Sequence, residues 1–286
     1  MRQKVAIITD STSDLDKEVV EKYNINVLPL KVIYSEQEEY LDRVNIEPQE
    51  IYDRMPGEVP STSLPSPASI ISLFKKLEEE GFTHIISIHI SSGLSGTYNA
   101  VRTVARDFKN MVIEVIDSKA LSLGLGIPVV EAAKTYESTM SFEAALKKAK
   151  DIISNTEIYF VVGTLDYLKK GGRIGYVAGT IGEIMQIKPI ISINEEGKYY
   201  TYDKIRGRKK SLQRLFEINK EIIKAKNKNT IAVMHGGAPE ESRELLEKTK
   251  DLTQIVKTYT GQVGPVIGVH TGPGLIGICI TSIQYE

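Results

Sequence analysis

The sequence predicts an α/β protein of two lobes, with a mainly parallel sheet flanked by helices in the first lobe and a mixed sheet with helices in the second. Short Ile- and Val-rich runs alternate with polar turns and helix-patterned segments in the first half, which is typical of a parallel sheet. A chain of 286 residues is near the upper size of one hydrophobic core, which favours two lobes. Because the alternation changes near Asn155, we expect lobes at 1–155 and 156–286.

In the first lobe, apolar runs predict strands at Val5–Thr9, Val27–Tyr34, Ile85–Ile90 and Met111–Ile116. Helical spacing predicts helices at Leu15–Tyr23, Pro48–Met55, Pro67–Glu80, Val101–Phe108, Ile127–Thr135 and Phe142–Ile153. Ser66 fits a helix N-cap followed by proline at the first helical position, which leaves the hydroxyls of Ser61–Ser63 free. The acidic segment Ser35–Asp42 is interpreted as a turn, and Pro29 indicates an irregular or edge position in its strand.

In the second lobe, the pattern predicts a strand at Ile158–Val162 and a short helix at Leu165–Lys170. An apolar helix-like segment at Ile181–Ile187 precedes a hairpin that turns at Asn194–Gly197. The remaining predicted elements are a long helix from Arg206, a strand at Thr230–Met234, a helix at Pro239–Leu252, a strand at Ile255–Tyr259 and a final strand from Leu275.

Composition excludes several classes of protein. The net charge of −1, from 36 basic and 37 acidic residues, argues against a nucleic-acid-binding protein. The start enters a strand at once and leaves no room for a signal peptide, and no apolar run reaches 18 residues, so we expect a cytoplasmic protein without a membrane-spanning segment. The lone Cys279 lies in an apolar run, where a buried structural role is expected.

The most informative stretch is the turn Ser91–Thr97, which contains only Ser, Gly, Leu and Thr and lies between a predicted strand and a predicted helix. Its glycines allow backbone N–H groups to approach a guest, and the helix that follows presents its positive end to the turn. An anion is the natural occupant of such a turn. The same hydroxyls could equally serve as helix caps. Similar polar turns occur earlier in the chain, at Asp10–Asp14 and Ser61–Ser63.

The same pattern bears on whether the protein has a catalytic, phosphate, nucleotide or metal site. Ser95 with His89 or His270 and Asp117 could form a hydrolase or acyltransferase triad, but a nucleophile elbow would need glycine at Thr97. A phosphate-ligand binder could use the same Gly/Ser turns. The chain lacks the Gly-rich nucleotide motifs, and its four histidines show no paired metal-ligand spacing, so we expect neither a cofactor nor a metal site.

The sequence resembles the DegV family over about residues 4–284. The resemblance is carried by five segments in order: Thr9–Asp14, Thr62–Ser66, Ser91–Thr97, Leu168–Ile174 and Gly268–Gly274. Leu64 departs from the family pattern, which often has Gln there, and leaves the neighbouring hydroxyls untouched.

The resemblance implies a bacterial fatty-acid-binding protein with a palmitate-like acyl chain buried between two α/β lobes. It implies that Thr62 and Ser95 hold the carboxylate, with His270 as a third contact. It further implies a non-catalytic carrier in phospholipid metabolism, like the FakB subunit that presents fatty acid to the kinase FakA. Such a carrier is compatible with transient membrane contact.

The basic residues near the resemblance motifs suggest a second role. We expect Arg173 above all, together with Lys170 and Arg206, to face the kinase partner or its phosphate. Each of them alone could also be a solvated surface charge. Because neutral hydroxyls need no arginine beside them, we also hypothesise that the bound carboxyl group is partly protonated.

Overall fold

The computed structural model describes residues 3–180, 187–226 and 228–282. The strands are β1 (Val5–Asp10), β2 (Ile25–Leu28), β3 (Lys31–Ser35), β4 (Glu38–Leu41), β5 (Ser61–Ser63), β6 (His84–His89), β7 (Val112–Asp117), β8 (Thr156–Val161), β9 (Ile190–Ile193), β10 (Tyr199–Asp203), β11 (Asn229–Gly236), β12 (Ile255–Gln262) and β13 (Leu275–Ser282). The helices are α1 (Lys17–Lys22), α2 (Pro48–Arg54), α3 (Pro67–Glu79), α4 (Thr97–Ala105), α5 (Leu123–Thr139), α6 (Phe142–Ser154), α7 (Asp166–Lys170), α8 (Arg208–Ala225), α9 (Pro239–Thr249) and α10 (Pro265–Thr271).

The first lobe is built on a parallel sheet in the order β2-β1-β6-β7. Its central strands β1 and β6 are buried almost throughout, as the continuous apolar runs predict. Parallel strands present their carboxyl ends at one edge, so the turns after Asp10, His89 and Asp117 lie side by side. This edge carries the polar turns that the sequence singles out.

The second lobe is built on a mixed sheet in the order β10-β9-β8-β13-β11-β12. The β11 and β12 strands are parallel, and the other neighbouring pairs are antiparallel. The predicted hairpin is confirmed, since β9 and β10 pair across the turn at Asn194–Gly197. Two α/β lobes, one with a parallel and one with a mixed sheet, confirm the predicted fold class.

A small antiparallel sheet, β4-β3-β5, corrects two predictions. The single strand predicted at Val27–Tyr34 is wrong, because the chain leaves the parallel sheet at Pro29 and enters β3 as a separate strand. Proline cannot donate to a ladder, and the N–H of Leu30 donates instead to Ser11 Oγ at 3.0 Å. The turn predicted at Ser35–Asp42 is also wrong over Glu38–Leu41, which pairs with β3.

Helix α5 lies between the two sheets, where it contacts both β1 and β13. Its buried residues join one continuous apolar cluster with residues of both sheets, such as Ile86 and Phe160. Because the two lobes share this core, the lobe boundary expected between residues 155 and 156 stays a prediction. The first turn of α5 and the loop before it, Leu121–Gly124, face the space between the lobes.

Some helix predictions need qualification. The predicted cap of α3 is confirmed, since Ser66 Oγ accepts from Ser69 N at 3.1 Å and Pro67 opens the helix. Helix α5 is longer than predicted, and α10 was not predicted at all. The helix-like segment predicted at Ile181–Ile187 lies, apart from Ile187, outside the described residues.

Candidate functional site

A pocket of about 140 Å³ lies between the lobes, and we call it the polar pocket. It brings together Thr62, Ser95, His270 and Arg173, each from a different part of the chain. Thr62 comes from β5, Ser95 from the loop before α4, His270 from α10, and Arg173 from the loop after α7. The three side chains assigned to the carboxylate by the resemblance therefore meet in one place.

Thr62 and His270 are joined by a hydrogen bond of 2.7 Å between Oγ1 and Nε2. The short strand β5 is held extended by pairing with β3, so the backbone of Thr62 is fixed by this pairing and its side chain by His270. Burial, assisted by the charge of Arg173, lowers the pKa of His270 to about 4. The imidazole is therefore neutral at pH 7, and its Nδ1 is buried without a hydrogen-bond partner among the described residues.

Gly171 permits this position of His270. A Cβ built on Gly171 would lie 2.1 Å from His270 Nδ1, closer than atoms can approach. Gly171 ends α7, and its N–H donates to the carbonyl of Tyr167 at 2.9 Å. Any side chain at this position would displace the imidazole from Thr62, which explains why glycine ends this helix.

The turn that carries Ser95 is held by the other lobe. Ser91 Oγ donates to the carbonyl of Gly197 in the β9–β10 hairpin at 2.7 Å. Gly93 packs so closely against the same hairpin that a Cβ there would lie 2.4 Å from that carbonyl oxygen. Ser95 Oγ lies 2.9 Å from Thr97 Oγ1 and accepts from Thr97 N at 3.3 Å. The Ser95 hydroxyl is thus oriented locally on a turn that both lobes position.

Arg173 lies on the wall of the polar pocket. Its guanidinium donates to the carbonyl oxygens of Leu94 at 3.2 Å and Gly171 at 2.7 Å, so it braces the Ser95 turn against α7. Lys170 and Arg206 are exposed and do not line the pocket. A cation on the pocket wall favours an ionised guest, which removes the premise of the partly protonated carboxyl hypothesis.

The hydrolase triad considered from the sequence is not assembled among the described residues. His89 is fully buried, with Nδ1 2.9 Å from Asp10 Oδ2 and Nε2 2.7 Å from Ser87 Oγ. Asp117 instead accepts from Ser92 N at 3.0 Å and pairs with Lys119. His270 bonds to Thr62, and the hydrogen bonds of Ser95 Oγ to the described residues go to Thr97 rather than to a base.

A second pocket adjoins the polar pocket and shares Leu121, Tyr199, Ile267 and Thr271 with it. We call it the apolar pocket. It lies between the start of α5 and the face of the mixed sheet, and its volume is about 40 Å³. Its further lining is almost wholly hydrocarbon or sulfur, and includes Ile158, Phe160, Met234, Leu275 and Cys279. Burial raises the pKa of the Cys279 thiol to about 12, so this cysteine is an apolar wall residue.

Sequence reasoning missed part of this site. It did not predict that Arg173, expected to face a partner, also lines the polar pocket. It also missed that Val266 and Ile267 line the pocket, because the glycines around α10 hid the helix. The signal was present, since Pro265 is at the first helical position after Gly264.

Neither a cluster of metal ligands nor a membrane-spanning helix is present among the described residues. Across 3–180, 187–226 and 228–282, no three His, Cys, Asp or Glu side chains are grouped so that they could hold a metal ion. In the same residues, no helix is long and apolar enough to cross a membrane.

Comparisons with known proteins identify the family and support the fold. The profile of the DegV family, described as uncharacterised proteins, matches residues 4–282. A DegV domain-containing protein of Clostridium acetobutylicum is 46% identical over 97% of this chain and 99% of its own. A fatty-acid-binding DegV family protein from Thermus thermophilus superposes with a TM-score of 0.91 at 29% identity, covering 98% of this chain and 100% of its own. A stearic-acid-binding protein from Eubacterium ventriosum gives 0.88 at 31% identity, covering 97% and 98%. The chain belongs to the DegV family.

Proposed function

We propose that this protein binds a long-chain fatty acid, with its carboxylate in the polar pocket and its tail in the apolar pocket. The observation that carries the proposal is the meeting of Thr62, Ser95 and His270 at the mouth of an apolar pocket between the lobes. The fatty-acid-binding structural neighbours support the same ligand class.

The tail supplies most of the affinity. Sixteen carbons at ~0.8 kcal/mol for each buried methylene give roughly 12 kcal/mol before the costs of binding. Hydrogen bonds to a charged head contribute about 1.5 to 3 kcal/mol each, and desolvation of the carboxylate offsets much of this. The hydroxyls therefore chiefly fix which end of the lipid faces the mouth.

The hydrogen bond between Thr62 and His270 determines what Thr62 can donate. If Nε2 carries the proton, it donates to Thr62 Oγ1, and the threonine proton is free for a carboxylate oxygen. In the other tautomer Thr62 would give its proton to the ring. The unpartnered Nδ1 suits the first arrangement, because a bare ring nitrogen is less costly to bury there than an N–H without an acceptor. His270 thus acts on the carboxylate through Thr62.

The proposal has a direct test in the lipid content and affinity of hydroxyl variants. Native mass spectrometry of the purified protein should show bound fatty acid. Thr62→Val and Ser95→Ala should each weaken palmitate binding about tenfold, because each loses one charge-assisted hydrogen bond. Titration calorimetry or displacement of a fluorescent fatty acid measures the change.

Ser61→Ala and Ser92→Ala are the matched controls. Ser61 is the exposed neighbour of Thr62 on β5, and Ser92 lies in the Ser95 turn outside the polar pocket. Both controls should bind palmitate like the parent. A parent protein that binds a phosphate ester but no fatty acid would favour the phosphate-ligand alternative. Covalent labelling of Ser95 by a serine-hydrolase probe would favour an enzyme.

We further propose that the protein presents its fatty acid to a fatty acid kinase, with no catalytic residue of its own. Arg173 at the polar pocket, with the exposed Lys170 and Arg206, would face the kinase or its phosphate. The positive charges suit a partner that carries ATP and builds an acyl phosphate.

This second step is tested with lipid-loaded protein, ATP and a fatty acid kinase catalytic subunit. Lys170→Ala and Arg206→Ala should keep palmitate affinity and lower the rate of acyl phosphate formation severalfold. Arg173→Ala should lower that rate most, measured at saturating lipid because Arg173 also braces the Ser95 turn. Lys147→Ala, at an exposed lysine on α6, is the control. Unchanged rates in all three test variants would refute a kinase-facing role for these residues.

A further inference from the structure

A buried charged cluster lies at the start of α10, the helix that carries His270. It consists of Asp14, Asp42 and Arg43, and both carboxylates are almost completely buried. Arg43 pairs with Asp14, with Nη2 3.2 Å from Oδ1, and also donates to the carbonyl of Gln262 at 2.8 Å. This cluster has no role in the proposed contacts to the fatty acid.

Both carboxylates hold the first turn of α10. Asp14 Oδ1 accepts from the N–H of Gly264 at 2.8 Å, and Asp42 Oδ1 accepts from Val266 N at 3.2 Å. These bonds tie the second lobe to the first across more than 220 residues of sequence. Negative charge at a helix N-terminus is favourable, so the contact stabilises α10 in one position.

The backbone at this cluster is strained. Asp14, Arg43 and Ser122 have φ angles of 52°, 58° and 51°, a region that non-glycine residues rarely adopt. Ser122 Oγ donates to Asp14 Oδ2 at 2.6 Å, so the strained residues are directly connected. Strain of this kind persists only where the surroundings fix it, and it clusters at functional sites.

We propose that Asp14 and Asp42 are positioning residues that set the place of His270 opposite Thr62 by holding the N-terminal turn of α10. Val266 and His270 lie four residues apart on this helix, about one turn, so a shift at its start moves the imidazole near its end. This inference rests on the proposed lipid site, because His270 acts there through Thr62.

Asp42 makes the anchor dependent on pH. Burial, with the Asp14 carboxylate adding to it, raises the pKa of Asp42 to about 6, against the opposing effects of Ser11, Val266 and Arg43. Its Oδ2 has no hydrogen-bond partner among the described residues. The other ionisable groups around the cluster are Tyr52 from α2, whose pKa burial raises, and the exposed Asp16, which interacts with Arg43. Above pH 6 the ionised Asp42 is the stronger acceptor for Val266 N–H.

The first test uses ligand-free protein, so that it does not depend on lipid binding. The ring Cε1–H resonance of His270 is followed by NMR from pH 5 to pH 8 and assigned with His270→Gln. We expect an inflection near pH 6 in the parent, well above the titration of His270 itself. Asp42→Asn should abolish that inflection. Asp16→Asn, which removes an exposed carboxylate that also interacts with Arg43, should keep it.

The second test measures the affinity for 1-hexadecanol, whose hydroxyl head does not titrate over this range. Affinity of the parent should fall about fivefold from pH 7.5 to pH 5, the loss expected when a charge-assisted bond becomes neutral. Asp42→Asn should show a flat profile, and Asp16→Asn should follow the parent.

The two tests separate failure of this inference from failure of the proposed function. A parent that binds palmitate but shows no His270 inflection near pH 6, or an Asp42→Asn variant that keeps it, overturns the positioning role. A parent that shows the Asp42-dependent inflection but binds neither palmitate nor 1-hexadecanol upholds the positioning role and overturns the lipid site. If Asp42→Asn does not fold, the titration of the parent alone decides.

Discussion

The polar and apolar pockets share a wall but are built on different principles. In the polar pocket each functional side chain is fixed by a directional contact, as Thr62 is by His270 and Arg173 is by the carbonyl of Leu94. In the apolar pocket the lining is almost wholly hydrocarbon and sulfur, and Met234 can adopt many shapes. For the proposed fatty acid, this difference would let one end of the site select an orientation while the other accepts variable hydrocarbon.

The two pockets also differ in volume. The polar pocket measures about 140 Å³, whereas the apolar pocket measures about 40 Å³, room for about three water molecules. A long acyl chain therefore requires the lining of the apolar pocket to move. Unbranched or γ-branched side chains such as Met234 and Leu275 can move without disturbing the sheet.

The largest expected effect comes from filling the apolar pocket. Gly277 lies on β13 between Phe160 and Met234, and its position lines this pocket. Gly277→Leu should weaken palmitate binding about a hundredfold, because excluding three or four methylenes costs about 3 kcal/mol. Octanoate should lose much less. Calorimetric titration of both acids measures the difference.

Gly277→Ala is the matched control for that substitution. A Cβ at this position would lie 3.5 Å from Phe160 Cβ, an ordinary van der Waals contact, so palmitate affinity should change less than about threefold. Thermal unfolding of both variants checks that the sheet is intact. If a folded Gly277→Leu protein binds palmitate as tightly as the parent, the tail does not enter the apolar pocket.

The same contrast separates what the sequence could predict from what it could not. The polar turns at the carboxyl ends of strands were visible locally, and Ser66 with its proline correctly predicted that the hydroxyl of Thr62 is free of capping. Asp42, by contrast, lies at the end of an acidic segment interpreted as a turn, and it is 1% exposed. Its burial depends on Val266, 224 residues away, and local periodicity contains no information on such a contact.

Arg173 illustrates the same limit for charge. A basic residue in a glycine-rich loop is usually solvated, and the sequence shows no sign of the contacts that Arg173 makes within the protein. Its guanidinium is instead satisfied by the carbonyls of Leu94 and Gly171, which the fold brings beside it. Backbone acceptors carry no sequence signature, so this placement could be found only in three dimensions.

Acidification should have a smaller effect, a loss of folding stability that arises from His270 in the polar pocket. Burial lowers the folded-state pKa of His270 to about 4, below the ordinary value of 6.5. Between pH 6.5 and pH 4 the unfolded chain therefore binds more protons at this site, so stability rises with pH in this window and falls on acidification. At pH 4.5 the expected loss relative to pH 7.5 is about 2 kcal/mol. His270→Gln should lack this component in urea unfolding at the two pH values.

The comparison between parent and His270→Gln cancels the titration of Asp42, which both proteins retain and which has the opposite sign. With its pKa raised to about 6, Asp42 contributes stability below its unfolded value that is lost as pH rises through 6. Gly277→Ala, altered in the apolar pocket, should show the full acid sensitivity of the parent. Equal acid sensitivity in the parent and His270→Gln would mean that the imidazole is not held neutral against Thr62, and the distinction between the two pockets would then rest on shape alone.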